Sequence, residues 1–405
     1  MRKRIAYLGL ALLAVACSHP EVEVVDFDSF HVTKVIQADV MKDGQLNPDI
    51  RFMDLGDDDP ETKLAVTDGV SLVKELLGTI NTKSQLHYVG TYEGHDIDGS
   101  PLTLSGKVLV PANGEIRNMM LVSHFTIGSN AECPSESFPL EGLLASLGYA
   151  VVMPDYIGYG ITRDRVHPYM HINSTAQSVV DMALAVKPFL AHIGRKPVSD
   201  EVILLGYSQG GSTTVAVMDL IQAMYEEELP IKKVYAGGGP YDLAATFDIS
   251  MLEDLTGIPC AIPMIVQGVN VGDNLGLNMA DFFKPVLLEH YQDWINSKNY
   301  TVKQINTMMN AKAVSDLMTD TARDKTNPQT SKFYKALLLN SVLLHQPRHP
   351  IYIFHSREDK TVPFVNATKA QEYFWGKDVV CDFGAYGSHG TAAIRFVFNA
   401  AQDLK

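Results

Sequence analysis

The chain is expected to form an α/β fold, with a mostly parallel central sheet flanked by helices and interrupted by a helical insertion. Three observations carry this expectation. From Leu86 onward, short apolar runs alternate with stretches of helical spacing. The runs are continuous rather than alternating, as strands are when helices cover both faces of a sheet. The alternation stops after Asp242 and resumes at Ile351, and the stretch between them reads mainly as helix.

The elements follow in order. Leu86 to Tyr92 and Leu102 to Val110 read as strands, with Gly94 to Pro101 as the turn. Met119 to His124 is a third strand. Phe138 to Leu147 has helical spacing and ends at Gly148, a helix stop. Ala150 to Met153 is a strand closed by Pro154-Asp155, and Ser174 to Leu190 a helix with Ala and Val on one face. Val202 to Leu205 is a strand, followed by Gly206 and a helix to Tyr225, then a strand at Lys233 to Ala236. Helices are expected within the insertion at Ala280 to Ile295 and Thr301 to Met318. Ile351 to Phe354 and Asp378 to Cys381 are the last strands, and Thr391 to Leu404 the closing helix.

Composition bounds the class. A 405-residue chain with 46% hydrophobic and 20% charged residues can bury a large core. A net charge of -14 argues against nucleic acid as a partner. The basic start Met1-Arg2-Lys3-Arg4, the short apolar stretch Ile5 to Ala16 and then Cys17 read as an export signal. The segment resembles a bacterial lipoprotein signal, in which Cys17 would become a lipid-bearing N-terminus and tether the protein to a membrane of the cell envelope. Ala14-Val15-Ala16 also suits ordinary signal cleavage. With Cys17 so used, Cys133, Cys260 and Cys381 remain, which leaves either one disulfide or three thiols. Residues 18 to about 80 lack a clear period, and Asp57-Asp58-Asp59-Pro60 reads as a solvated loop. The expected organisation is a signal at 1–17, an N-terminal extension at 18–85, a first core part at 86–242, a helical cap at 243–345 and a second core part at 346–405.

Gly206-Tyr207-Ser208-Gln209-Gly210 has the spacing G-x-S-x-G. A chain this long shows that spacing by chance about once in eight, from average Gly and Ser usage. Its setting raises its weight: it follows an apolar strand and opens a helix, the context of a nucleophile elbow, where small neighbours are needed at a strained serine. The plainer reading is a glycine-rich strand-to-helix turn. A serine hydroxyl needs a base to take its proton. Of the 13 histidines, His389 lies between the last strand and the final helix, where such a base belongs. His345 and His349 are four apart, but Pro347 and Pro350 break the helix that a metal pair would need. His167 and His171 are also four apart, with Pro168 between them, and are expected to be structural.

The base needs an acid to fix its tautomer. Asp359 is the choice and Glu358 the rival, both directly after a strand. The chain order Ser208, Asp359, His389 is that of the α/β-hydrolases. An oxyanion hole needs two backbone N–H groups. Gln209 supplies one. The loop from Ser123 to Gly128 supplies the other, with Thr126 preferred and Phe125 second. His124 is expected to hold this loop by hydrogen bonds.

The segment from Leu147 to Gly160, with Tyr149-Ala150-Val151-Val152-Met153-Pro154-Asp155-Tyr156 at its centre, resembles the region before the elbow in secretory lipases and related bacterial esterases. His167-Pro168-Tyr169, Ser174-Thr175-Ala176 and Gly237 to Leu243 follow at similar spacing. His355, Asp359, Val362 and Pro363 resemble the acid loop of that group, which implies Asp359 as the acid. The resemblance spans residues 85 to 405. Phe125 departs from the common His-Gly pair. An exported serine ester hydrolase is therefore expected, acting on a lipid, glycan or other small ester, with neither metal nor organic cofactor. The rivals are a serine peptidase of the prolyl-oligopeptidase type, for whose propeller residues 18 to 85 are too few, and a non-catalytic surface binding lipoprotein. The apolar stretch Met251 to Val266 is expected either to line an acyl pocket or to fix the cap to the core.

Overall fold

A computed structural model describes residues 27–43, 45–53, 71, 75, 84–253 and 257–405. The proposed signal, Cys17, the acidic run at 57–60 and Leu255 lie outside the described residues.

Nine strands form one sheet. They are β1 (His31–Asp39), β2 (Ser84–His95), β3 (Pro101–Pro111), β4 (Met119–Ser123), β5 (Ala150–Pro154), β6 (Val202–Tyr207), β7 (Ile231–Gly237), β8 (Ile351–Ser356) and β9 (Val379–Gly384). Their spatial order is β1-β2-β3-β5-β4-β6-β7-β8-β9. The six strands β4 to β9 run parallel, and β1 to β3 are antiparallel at one edge. Every residue of β4, β5 and β6 is buried, which explains the unbroken apolar runs. Helices α1 (Ile172–His192) and α2 (Gln209–Leu220) cover one face. A closing helix packs on the other at Phe354, Phe396 and Val397. The molecule is thus an α/β-hydrolase in its architecture.

Two differences from the sequence expectations have physical causes. The sheet begins well before residue 86, because β1 adds to its edge. Its burial alternates poorly and its register shifts between Val32 and Lys34. A bulged edge strand leaves no periodic signature. The insertion helices are also shorter than expected. The run from Ala280 breaks before Pro285, which opens α5 (Pro285–Tyr291) as its first residue, the place where a missing N–H costs least. The helix expected over 301–318 is α6 (Val302–Met309), begun by a Thr301–Gln304 capping box and stopped by Asn310 in left-handed backbone (φ 45°).

Between β7 and β8 the chain is largely helical: α3 (Leu243–Leu252), α4 (Ala261–Gly272), α5, α6 and α7 (Pro328–Leu339). These helices build a second apolar core around Phe247, Phe282 and Phe333. Ile258, Ile262, Met264, Ile265 and Val266 are buried in it, whereas Leu252 is exposed. The two crossings between sheet and insertion lie side by side. Val342 N–H donates to Tyr241 C=O (2.9 Å), and Leu243 N–H to Ser341 Oγ (3.0 Å). The insertion packs on loops at the carboxyl ends of three parallel strands. A Cβ at Gly128 would meet the Tyr300 carbonyl at 2.6 Å, one at Gly268 the backbone of Tyr169 at 2.3 Å, and one at Gly257 the Thr361 side chain at 2.3 Å. Cys133, Cys260 and Cys381 are free thiols, the first two buried. Among the described residues no helix is long and apolar enough to cross a membrane.

Candidate active site

The site is assembled by the turn between β6 and α2. Ser208 caps α2 with φ 60° and ψ -125°, a region that L-residues avoid at a cost of about 1–3 kcal/mol. Its N–H is held by the Gly237 carbonyl at 2.9 Å. Room for the turn comes from its glycines. A Cβ at Gly206 would lie 2.2 Å from the Gly210 carbonyl oxygen, and one at Gly210 would lie 2.0 Å from that of Ser123. Neither backbone atom can move aside cheaply, so the small residues of the G-x-S-x-G spacing are required by contact.

His389 is not on the loop itself but is the first residue of the closing helix α8 (His389–Asp403). Its Nε2 is 2.8 Å from Ser208 Oγ, and its Nδ1 is 2.5 Å from Asp359 Oδ2. A carboxylate can only accept, so Nδ1–H donates to Asp359 and Nε2 is left to accept from the serine hydroxyl. The imidazole is located further by its own backbone, since Tyr207 Oη donates to the His389 carbonyl (2.9 Å). Ser208 is 4% exposed and His389 2%, so both side chains are buried.

Asp359 is buried, and its Oδ1 accepts from Thr361 N–H (2.8 Å) and Val362 N–H (2.9 Å). Burial pushes its carboxyl up. The His389 ring, helped by His355 and the Val362 N–H, outweighs that push and holds it below the usual carboxylate range. Glu358 points elsewhere: it is exposed and accepts from Gly387 N–H at 2.7 Å, bracing the turn ahead of His389.

Gln209 opens α2, where a backbone N–H has no acceptor within its own helix. Its side chain Nε2 donates to His167 Nε2 (3.1 Å), while His167 Nδ1–H donates to the Ile157 carbonyl (2.7 Å). This arrangement needs a neutral ring. Burial, reinforced by the charge of Lys298, lowers the His167 pKa to about 3. On the facing loop, Thr126 is buried with Oγ1 2.7 Å from Tyr169 Oη, and Phe125 is half-buried. His124 stacks on Tyr156 and its Nδ1–H donates to the Phe125 carbonyl (2.7 Å), holding the loop as expected. The histidines at 345 and 349 lie apart from this cluster, against Asp219 and Glu226. Among the described residues no group of three His, Cys, Asp or Glu side chains is arranged to hold a metal.

Sequence reasoning missed the side-chain clamp of Gln209 on His167 and the link from Thr126 to Tyr169. The only signal was the His167-Pro168-Tyr169 spacing, which carried no assignment of contacts.

Solved structures share this architecture. A candidate hydrolase of Legionella pneumophila is 22% identical, with a TM-score of 0.74 over 84% of this chain and 94% of that one. The rice cell wall degrading esterase LipA of Xanthomonas oryzae is 24% identical, with a TM-score of 0.69 over 82% of this chain and 92% of that one. Candida antarctica lipase A is 18% identical, with a TM-score of 0.57 over 81% and 80%. No curated protein matches the sequence significantly. The family model for secretory lipases matches residues 130–393, a span that runs from the loop after β4 through Ser208 and Asp359 to His389 and covers most of the chain. The chain therefore belongs to the secretory lipase family, and it is a carboxylic ester hydrolase of α/β-hydrolase fold.

Proposed function

We propose that the protein is an exported serine esterase or lipase that works through an acyl-enzyme on Ser208. The observation that supports this reading most is the hydrogen-bonded line from Ser208 through His389 to Asp359. In the proposed cycle, Ser208 attacks the ester carbonyl as His389 Nε2 takes its proton. The same imidazolium then protonates the departing alkoxide. Asp359 steadies the imidazolium. Negative charge on the carbonyl oxygen is met by the Gln209 N–H and by a second N–H from Thr126 or Phe125. Water, deprotonated by His389, completes hydrolysis of the acyl-enzyme. Residues 243–345 act as the cap beneath which the ester binds.

The decisive experiment is reaction with a fluorophosphonate probe, followed by peptide mapping. A single adduct is expected on Ser208. Failure to label the folded protein, or an adduct confined to another serine, would refute the proposal.

Export and a lipid anchor on Cys17 belong to the same reading. A diacylglycerol thioether supplies two chains, enough for stable anchoring where one is marginal. Wild-type protein expressed in a bacterium is expected in the detergent phase of a two-phase extraction, and Cys17→Ala in the aqueous phase. Equal aqueous partitioning of the two would replace the anchor with simple secretion.

A further inference from the structure

The loop that leaves β5 and leads into α1 is strained near both ends. Tyr156 (φ 65°) and Met170 (φ 61°) are non-glycine residues in left-handed backbone. Each costs about 1–3 kcal/mol and persists only where its surroundings fix it. Within this loop His167 is buried, and a Cβ at Gly158 would lie 2.5 Å from its Cα. The His167 main chain is therefore seated directly on the turn that follows Tyr156.

The imidazole is fixed at both nitrogens. Nδ1–H donates to the Ile157 carbonyl (2.7 Å), which leaves Nε2 as the acceptor for the Gln209 side-chain amide (3.1 Å). Burial keeps the ring neutral, so this acceptor persists at any pH at which His389 can act as a base.

The proposed cycle gives His167 no proton to carry, yet the ring lies among the residues that hold both proposed oxyanion arms. Gln209 bears the first N–H, and its side chain is tied to His167. The second arm is the loop after β4. Tyr159, whose ring is 5.0 Å from that of His167, donates from Oη to the Ile127 carbonyl (2.6 Å). Tyr169, 5.9 Å from it, has Oη 2.7 Å from Thr126 Oγ1. One ring thus stands between the braces of two segments that chain connectivity leaves independent. Oxyanion donors act by being aimed in advance at the place where charge develops, so a group that sets their spacing acts on the transition state more than on the bound ester.

We propose that His167 is a positioning residue for the oxyanion hole, pinning Gln209 on one side and, through Tyr159 and Tyr169, spacing the 125–127 loop on the other. The inference rests on the proposed chemistry at Ser208. It adds to that reading the group that holds its two donors in register.

Two variants of the full chain test it. His167→Phe keeps an aromatic ring but removes the acceptor, and Gln209→Met removes the donor while leaving the His167–Ile157 bond in place. Two readouts separate positioning from general damage. One is the split between kcat and KM with a p-nitrophenyl ester. The other is the inhibition constant of an alkyl trifluoromethyl ketone, whose serine adduct carries an oxyanion. His167→Phe is expected to lower kcat by about 30-fold with KM within about twofold, less than the roughly 100-fold or more that follows loss of a donor itself. The ketone's inhibition constant should rise by a similar factor. Gln209→Met should show the same pattern more weakly, and the double variant should be no worse than His167→Phe alone. If His167→Phe loses its thermal transition, Gln209→Met carries the test by itself. Wild-type kcat in a folded variant would overturn the proposal, as would a fall in kcat that leaves ketone inhibition unchanged, or losses that multiply in the double variant. A wild type that takes no fluorophosphonate adduct refutes the Ser208 reading, whereas a labelled wild type with unaltered variants refutes only the role of His167.

Discussion

Ser208→Ala is expected to leave a folded protein with ester hydrolysis reduced by roughly 10⁶-fold, about 8 kcal/mol of transition-state stabilisation. The size follows from the proposed covalent step, which has no substitute once Oγ is gone. The fold should be nearly unaffected. The N–H bond to Gly237 is a backbone bond, and alanine bears the same φ of 60° that serine does. Only the bond to His389 is lost, about 1 kcal/mol of stability at most. Initial rates with a p-nitrophenyl ester, alongside a thermal melt, check both halves. Retention of a tenth of the wild-type rate would show that another group attacks.

The acid position carries the second large effect. Asp359→Asn is expected to lower kcat by about 10⁴-fold, because an amide can donate to Nδ1 and stabilise the wrong tautomer of His389. Nε2 would then carry the proton, and Ser208 would have nothing to donate to. Glu358→Gln should cost far less, since the Glu358 side chain is exposed and accepts from Gly387 N–H rather than from His389. The amide oxygen of glutamine can still take that bond. Parallel kinetics on the two variants rank them, and the reverse order would move the acid to Glu358.

What the sequence made legible follows from how local each signal was. Ser208 was readable because the elbow imposes sterics within five residues, and the Cβ clashes at Gly206 and Gly210 are that constraint in atomic form. His389 and Asp359 were readable from chain order and from their places after β9 and β8. The residues alone favoured Asp359 but left Glu358 as a rival, because the choice depends on which of two adjacent side chains faces inward. The strands of the parallel sheet were readable because most of their residues are buried. β1 was not, because an edge strand with an irregular register has no periodic apolar face. In the insertion, Pro285 starts a new helix and Asn310 ends one, where a count of apolar spacings would run on. The Gln209–His167 and Thr126–Tyr169 contacts join residues more than forty positions apart, and no spacing rule reaches across that distance.

The seam between the insertion and the loop after β4 has a dynamic consequence. Asn130 is hydrogen-bonded to Lys298, and Gly128 lies against Tyr300 too closely for any side chain. The insertion therefore cannot lift as a stiff plate hinged at Asp242 and Ser341 without dragging this loop with it. Phe125 and Thr126 ride on the same loop, a few residues from the seam. If residues 243–345 act as the proposed cap, outward travel of residues 298–302 would misplace a proposed oxyanion donor, and return travel would restore it. A substrate that enters by that side would meet a site unable to react until the passage closes behind it, with bulk water excluded at the moment of attack.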